Sequence, residues 1–128
     1  MNKNKILIID DDVDLLASTK LFLESKKYEV ETAINSKIGL GTLKTFHPDL
    51  IILDIMMDTN LEGFNFLNEL KSDDNFKETP IIMSTGMAKS IGVNMRAAIE
   101  DIDSLPKTKF IDKSGDWEEL PEAIKELL

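Results

Sequence analysis

Short apolar runs that do not alternate with polar residues recur along this chain, and stretches of helical period separate them. Ile6-Leu7-Ile8-Ile9 and Leu50-Ile51-Ile52-Leu53 are the clearest. Such runs suit strands buried on both faces, as in a parallel sheet covered by helices on either side. Lys5–Ile9 is thus the first strand. Leu15, Leu16, Thr19, Phe22 and Leu23 share one face of a helix over Val13–Lys26. Tyr28–Thr32 reads as a weaker second strand. Ser36 is placed to cap a second helix reaching Phe46, and Pro48 ends it. Gly39 and Gly41 inside that helix each cost about 1 kcal/mol relative to Ala, which predicts a weak helix. Asp49–Asp54 is the third strand.

Gly63–Lys71 reads as a third helix with Phe64, Leu67 and Leu70 inward. A polar loop, Ser72–Thr79, leads through Pro80 to a fourth strand, Ile81–Thr85. Ile91, Met95, Ala98, Ile99 and Ile102 keep helical spacing for a fourth helix, which Gly92 and Asn94 weaken. Thr108–Asp112 is a fifth strand. Asp116, with Glu119 three residues on, forms a capping box for a last helix. Leu120, Ile124, Leu127 and Leu128 make its inner face, and Trp117 is an anchor at its start.

Strand and helix alternating five times predict an α/β fold, a (βα)5 doubly wound parallel sheet. The 128 residues suit one domain, residues 1–128, with no repeat or linker and no room for an output domain. In flavodoxin-like order, 2-1-3-4-5, ligands sit beyond the carboxyl ends of the strands where the order reverses. Those ends carry Asp10-Asp11-Asp12, Asp54, Ser84-Thr85-Gly86 and Asp112-Lys113.

Composition narrows the chemistry. There is no cysteine and a single histidine, His47, so thiolate sites, disulfides and multi-histidine metal sites are excluded. His47 reads as a surface residue in a turn, not a phosphodonor. The methionines are packing residues, because a soft thioether lacks a cysteine or histidine partner here. With 15 basic against 24 acidic residues the chain carries −9, which argues against nucleic acid or an anionic membrane as partner. The aliphatic runs are far shorter than the ~20 residues of a membrane span. The start, Met1-Asn2-Lys3-Asn4-Lys5, has no signal-peptide pattern, so a cytoplasmic protein is expected.

Carboxylates gathered within ~4–6 Å repel one another and need a cation. Oxygen ligands at a partly hydrated site suit Mg²⁺, which commonly shares a phosphoryl group with the protein. A nearby lysine supplies a point charge for phosphate oxygen, and a threonine hydroxyl can donate to the same group. Asp10 and Asp11 are then the metal holders. Asp54, central among the strands, is the nucleophile, with aspartyl phosphate as product. Alone, Asp10–Asp12 could merely cap the first helix, Asp54 could merely begin a loop, and Lys113 could be a solvated lysine. Their occurrence together at the strand ends favours the functional reading.

In these four segments the chain resembles the receiver domain of two-component response regulators. Ile6–Asp12 matches the first strand with its acidic pair, and Pro48–Asp54 the strand of the phosphoacceptor. Pro80–Gly86 matches the strand with the switch hydroxyl, Thr85, and Phe110-Ile111-Asp112-Lys113 the strand with the switch aromatic, Phe110, and the lysine. The resemblance implies that a histidine kinase or histidine phosphotransfer protein phosphorylates Asp54. Asp11, Asp54 and the Met56 backbone carbonyl would ligate Mg²⁺, with Asp10 acting through water. Thr85 and Lys113 would contact the phosphoryl group. Thr85 would draw Phe110 inward and alter the face of helix four, strand five and helix five, changing affinity for a downstream protein. Such a protein is no enzyme beyond its own phosphorylation and dephosphorylation, and is a monomer or a weak dimer.

The chain also departs from the family pattern. Asp58 follows Met57 where the family has Met-Pro, and the loop to Gly63 is one residue longer. The span from Thr85 to Lys113 is several residues longer, the Gly-Ala pair before the fifth strand is absent, and Ser114 replaces the usual proline. These changes motivate a second reading, a degenerate receiver that binds a protein without phosphorylation. A third reading compares Asp10-Asp11-Asp12 with the Asp-x-Asp of haloacid-dehalogenase phosphatases, but Asp14 stands where that motif takes Thr or Val. In receivers, the side chains two after the acceptor and two after the threonine flank the hydrolytic water. Here they are Met56 and Met87, which predicts slow loss of the phosphoryl group.

Overall fold

Ile9 pairs with Ala33 on one side and with Leu53 on the other, so the first strand lies inside the sheet. In the computed structural model, the described residues are 4–54, 66, 68–70, 72–85, 108–112 and 119–128, with backbone alone at 84–85 and 108–112. The strands are β1 (Lys5–Ile9), β2 (Glu29–Ala33), β3 (Leu50–Asp54), β4 (Ile81–Thr85) and β5 (Thr108–Asp112). All neighbouring pairs are parallel, in the order β2-β1-β3-β4-β5. This is the doubly wound, flavodoxin-like sheet expected.

Successive side chains point to opposite faces of each strand, and the core divides accordingly. Leu7, Ile9, Ile51, Leu53, Ile81 and Met83 pack on one face with Leu43, Phe66, Leu70 and Phe76. Ile6, Ile8, Leu50, Ile52 and Ile82 pack on the other with Leu16, Leu23, Leu120, Ile124 and Leu127. Strands with apolar residues at every position are therefore required. Helix α1 (Val13–Ser25) lies on the second face, and α2 (Ser36–Phe46) on the first. The C-terminal helix (Glu119–Leu127) lies on the same face as α1.

Several local details differ from the sequence reading. Asn35, not Ser36, caps α2, and its Oδ1 accepts the Ile38 N–H at 2.8 Å. Both residue types cap well, and β2 runs to Ala33, one residue further than expected. Phe76, within the polar loop 72–79, is buried against the core. In the C-terminal helix Ala123 is buried and Leu128 is exposed. Leu128 falls just past the helix end. Residues 66, 68–70 and 72 are helical with Phe66 and Leu70 buried, whereas Phe64, Leu67, the fourth helix, Asp116 and Trp117 lie outside the described residues.

Candidate functional site

The connection from β1 through α1 goes to β2 at one edge, and the connection through α2 returns past β1 to β3. The order therefore reverses between β1 and β3, and a crevice opens beyond their carboxyl ends. Ile9 is level with Leu53, so the next residue of each chain segment, Asp10 and Asp54, meets at that crevice. Asp54 in turn is level with Ser84, and Thr85 is level with Asp112.

Asp10, Asp11 and Asp54 each bring a carboxylate oxygen into one group whose atoms all lie within 4.8 Å of one another. Asp10 and Asp54 are buried, at 5% and 2% exposure, while Asp11 is exposed. The Asp10 N–H extends the sheet by one bond, donating to Ala33 O at 3.0 Å. Asp10 Oδ1 accepts the Asp12 N–H at 2.9 Å. Asp12 itself turns away and caps α1, accepting the Leu15 N–H at 3.1 Å. The capping reading thus holds for Asp12 and not for its two predecessors.

The donor set fits a small hard cation. It is made of oxygen alone, which suits Mg²⁺, and its atoms are close enough together to face one ion. His47 is at the other end of the sheet, just before β3, where it is exposed and stacks on Phe76 with ring centroids 5.9 Å apart. No nitrogen or sulfur ligand from the described residues joins the group. Two buried carboxylates this close repel, and a divalent ion is the simplest relief.

The backbones of Thr85 and Phe110 stand in β4 and β5 as expected. Met56, Met87, Lys113, Asp58 and Ser114 lie outside the described residues. Sequence reasoning missed no carboxylate of the group, but it did miss the role of Asp10 as acceptor for the Asp12 amide. Among the described residues, no helix is long and apolar enough to cross a membrane.

A sequence model of the response regulator receiver domain matches residues 6–125. Protein PilG of Pseudomonas aeruginosa is 30% identical over 121 residues, 94% of this chain and 84% of PilG. The DNA-binding dual master transcriptional regulator RpaA of Synechocystis is 29% identical over 124 residues, 97% of this chain and 48% of RpaA. The probable transcriptional regulator ycf27 of Cyanophora paradoxa is 34% identical over 87 residues, 68% of this chain and 35% of that protein. The chain thus spans between about a third and a half of the length of these two transcriptional regulators. Among solved structures, chemotaxis protein CheY4 of Vibrio cholerae superposes with a TM-score of 0.84 at 24% identity, over 99% of this chain and 100% of CheY4. Response regulator TrrA of Thermotoga maritima, in complex with Mg²⁺-BeF, gives a TM-score of 0.76 at 30% identity, over 98% of this chain and 99% of TrrA. The match over nearly its whole length, on a fold with the reversal point the sequence called for, makes this chain a member of the response regulator receiver domain family.

Proposed function

We propose that Asp54 accepts a phosphoryl group in a Mg²⁺-dependent reaction, from a histidine kinase or a histidine phosphotransfer protein, and that the modified domain changes its affinity for a downstream protein. Members of this family are signalling proteins of two-component systems rather than classical enzymes, and their receiver domains bind Mg²⁺ at an acidic pocket. The observation that carries the reading is the convergence of Asp10, Asp11 and Asp54 at the reversal point of the sheet. The complex of TrrA with Mg²⁺-BeF, a tetrahedral stand-in for a phosphoryl group, supports it.

The chemistry follows from the residues. An Asp54 Oδ attacks phosphorus opposite the N–P bond of a phosphohistidine. The O–P bond forms, the N–P bond breaks, and its electron pair returns to the imidazole nitrogen. When bound, Mg²⁺ neutralises charge on the carboxylates and on the phosphoryl oxygens. Asp11, Asp54 and the Met56 carbonyl would hold the ion, with Asp10 acting through water. Burial of Asp54 keeps bulk water from the acyl phosphate. Thr85 donates its hydroxyl to a phosphoryl oxygen, and the Lys113 ammonium offsets the remaining charge. Turning Thr85 inward makes room for Phe110, and two states of the face formed by the fourth helix, β5 and the C-terminal helix exchange population.

We place this activity in the cytoplasm, with the receiver domain itself monomeric or weakly dimeric. DNA contact is not proposed for residues 1–128, because a net charge of −9 repels phosphate.

Borohydride reduction tests the site. It converts an aspartyl phosphate to homoserine, and peptide mapping then locates it. After treatment with acetyl phosphate and Mg²⁺, homoserine is expected at position 54. Homoserine elsewhere would move the acceptor. None at all, in a folded protein, would favour the receiver that binds without phosphorylation.

A further inference from the structure

We propose that Gly39 positions Asp10, by letting α2 seat directly on Ile9; the inference deepens the metal-site reading above and rests on it. A Cβ at Gly39 would stand 2.6 Å from Ile9 Cδ1, 3.1 Å from Ile9 Cγ1 and 3.5 Å from Phe66 Cε2. No glycine among the described residues has positive φ, so the backbone conformation does not call for glycine here. The space does. Gly41, two residues on in the same helix, has nothing within 4 Å of its would-be Cβ.

Ile9 cannot easily yield. It is fully buried, so Cδ1, the atom in severe overlap at 2.6 Å, has only close-packed neighbours to turn into. Its inner torsion is restricted, as for any β-branched side chain. Strand β1 is held on both sides, by the Ala33 and Leu53 registers. At the other surface, α2 is tied to the end of β2: the Gly39 N–H donates to Asn35 O at 3.0 Å, and Asn35 Oδ1 caps Ile38. The residue after Ile9 is Asp10, whose carboxylate is both an acceptor for the Asp12 N–H and a member of the acidic group. Pressure at Ile9 is therefore felt one residue on, where oxygen spacing decides metal affinity. Ile9 and Gly39 form a size-matched pair, and α2 becomes a support for the site.

Four variants of the full chain test this: Gly39→Ala, Ile9→Val, the double variant, and Gly41→Ala. The probe is Mg²⁺ alone, with affinity read by calorimetry and the Asp12 amide followed by NMR. Gly39→Ala is expected to weaken Mg²⁺ binding about tenfold, at the low end for supporting residues, and to move the Asp12 amide proton upfield as its bond to Asp10 lengthens. Ile9→Val removes Cδ1, and in the double variant both readouts return to the wild-type values. Gly41→Ala leaves both unchanged. The proposal is overturned if Gly39→Ala only lowers stability, with Mg²⁺ affinity and the Asp12 amide unmoved. It is equally overturned if the double variant restores neither. Should Gly39→Ala alone fail to fold, the double variant decides: wild-type affinity supports the pair, weakened affinity sinks it. If the wild-type chain bound no Mg²⁺, the metal-site reading would fail, and the Asp12 amide would still report whether Gly39 positions Asp10.

Discussion

The Asp12 backbone N–H donates to Asp10 Oδ1 at 2.9 Å, while the Asp12 side chain accepts the Leu15 N–H at 3.1 Å. Three consecutive aspartates thereby take different tasks. Asp12 starts α1 and steadies Asp10, and the carboxylates of Asp10 and Asp11 join Asp54.

That division is testable at Asp12. Replacing it with Ala removes the cap and keeps the N–H that holds Asp10. Asp12→Ala is expected to lose about 1 kcal/mol of stability, read from urea unfolding, and to be phosphorylated to the wild-type extent. Asp12→Ser should retain most of the stability. A large loss of phosphorylation in Asp12→Ala would contradict this assignment.

The proposed Mg²⁺ site at Asp54 has a consequence for stability. At 4.8 Å or less, two carboxylates repel by about 3 kcal/mol at an effective dielectric constant of about 20. Asp11 is exposed and screened, so the repulsion acts mainly between the buried carboxylates of Asp10 and Asp54. Asp54→Asn is therefore expected to melt above wild type in chelator. Millimolar Mg²⁺ should raise the wild-type melting temperature by mass action and raise that of Asp54→Asn less. Equal stabilisation of both proteins would place the ion elsewhere.

Lys27 closes α1 with a positive φ of 72°. Its N–H donates to Glu24 O at 3.0 Å, and the Tyr28 N–H reaches Leu23 O at 3.2 Å. A side chain in this left-handed conformation costs about 1 kcal/mol that glycine avoids. Lys27→Gly should raise stability by that order in urea unfolding. His47 also has positive φ, 51°, but its ring stacks on Phe76. His47→Gly should gain less, because the stacking is lost with the ring.

The family resemblance implies that the side chains of Met56 and Met87 flank the hydrolytic water, and a thioether gives that water no hydrogen-bond donor and only a weak acceptor. The phosphorylated protein should thus be long-lived, and Met56→Asn should lose its phosphoryl group about tenfold faster, a modest share of what a positioned polar group contributes. The decay is followed by intact mass after acetyl phosphate is removed. A Met56→Asn protein that decays at the wild-type rate would contradict the expectation.

Much of the fold was legible because its strands are buried on both faces. Lys5–Ile9, Ile81–Thr85 and Thr108–Asp112 begin and end where the residue pattern places them. Aspartates at the ends of the first and third strands were enough to locate the acidic group once the sheet order was assumed. What escaped was local competition and long-range contact. Asn35 and Ser36 are both good caps, and the end of β2 selects Asn35. Phe76 is one aromatic among polar neighbours and has no periodicity to reveal its burial. Gly39 and Gly41 look alike in sequence as helix weakeners, yet only Gly39 meets a neighbouring strand. That difference depends on how α2 lies over β1, which no local pattern encodes.

The most direct measurement of the central claim is the intact mass of the protein after incubation with acetyl phosphate, with and without Mg²⁺, beside Asp54→Asn. The account predicts one phosphoryl group on the wild-type chain, added only with Mg²⁺, and none on Asp54→Asn. A folded wild-type protein that takes up no phosphoryl group, or an Asp54→Asn protein that takes up as much as wild type, would contradict it.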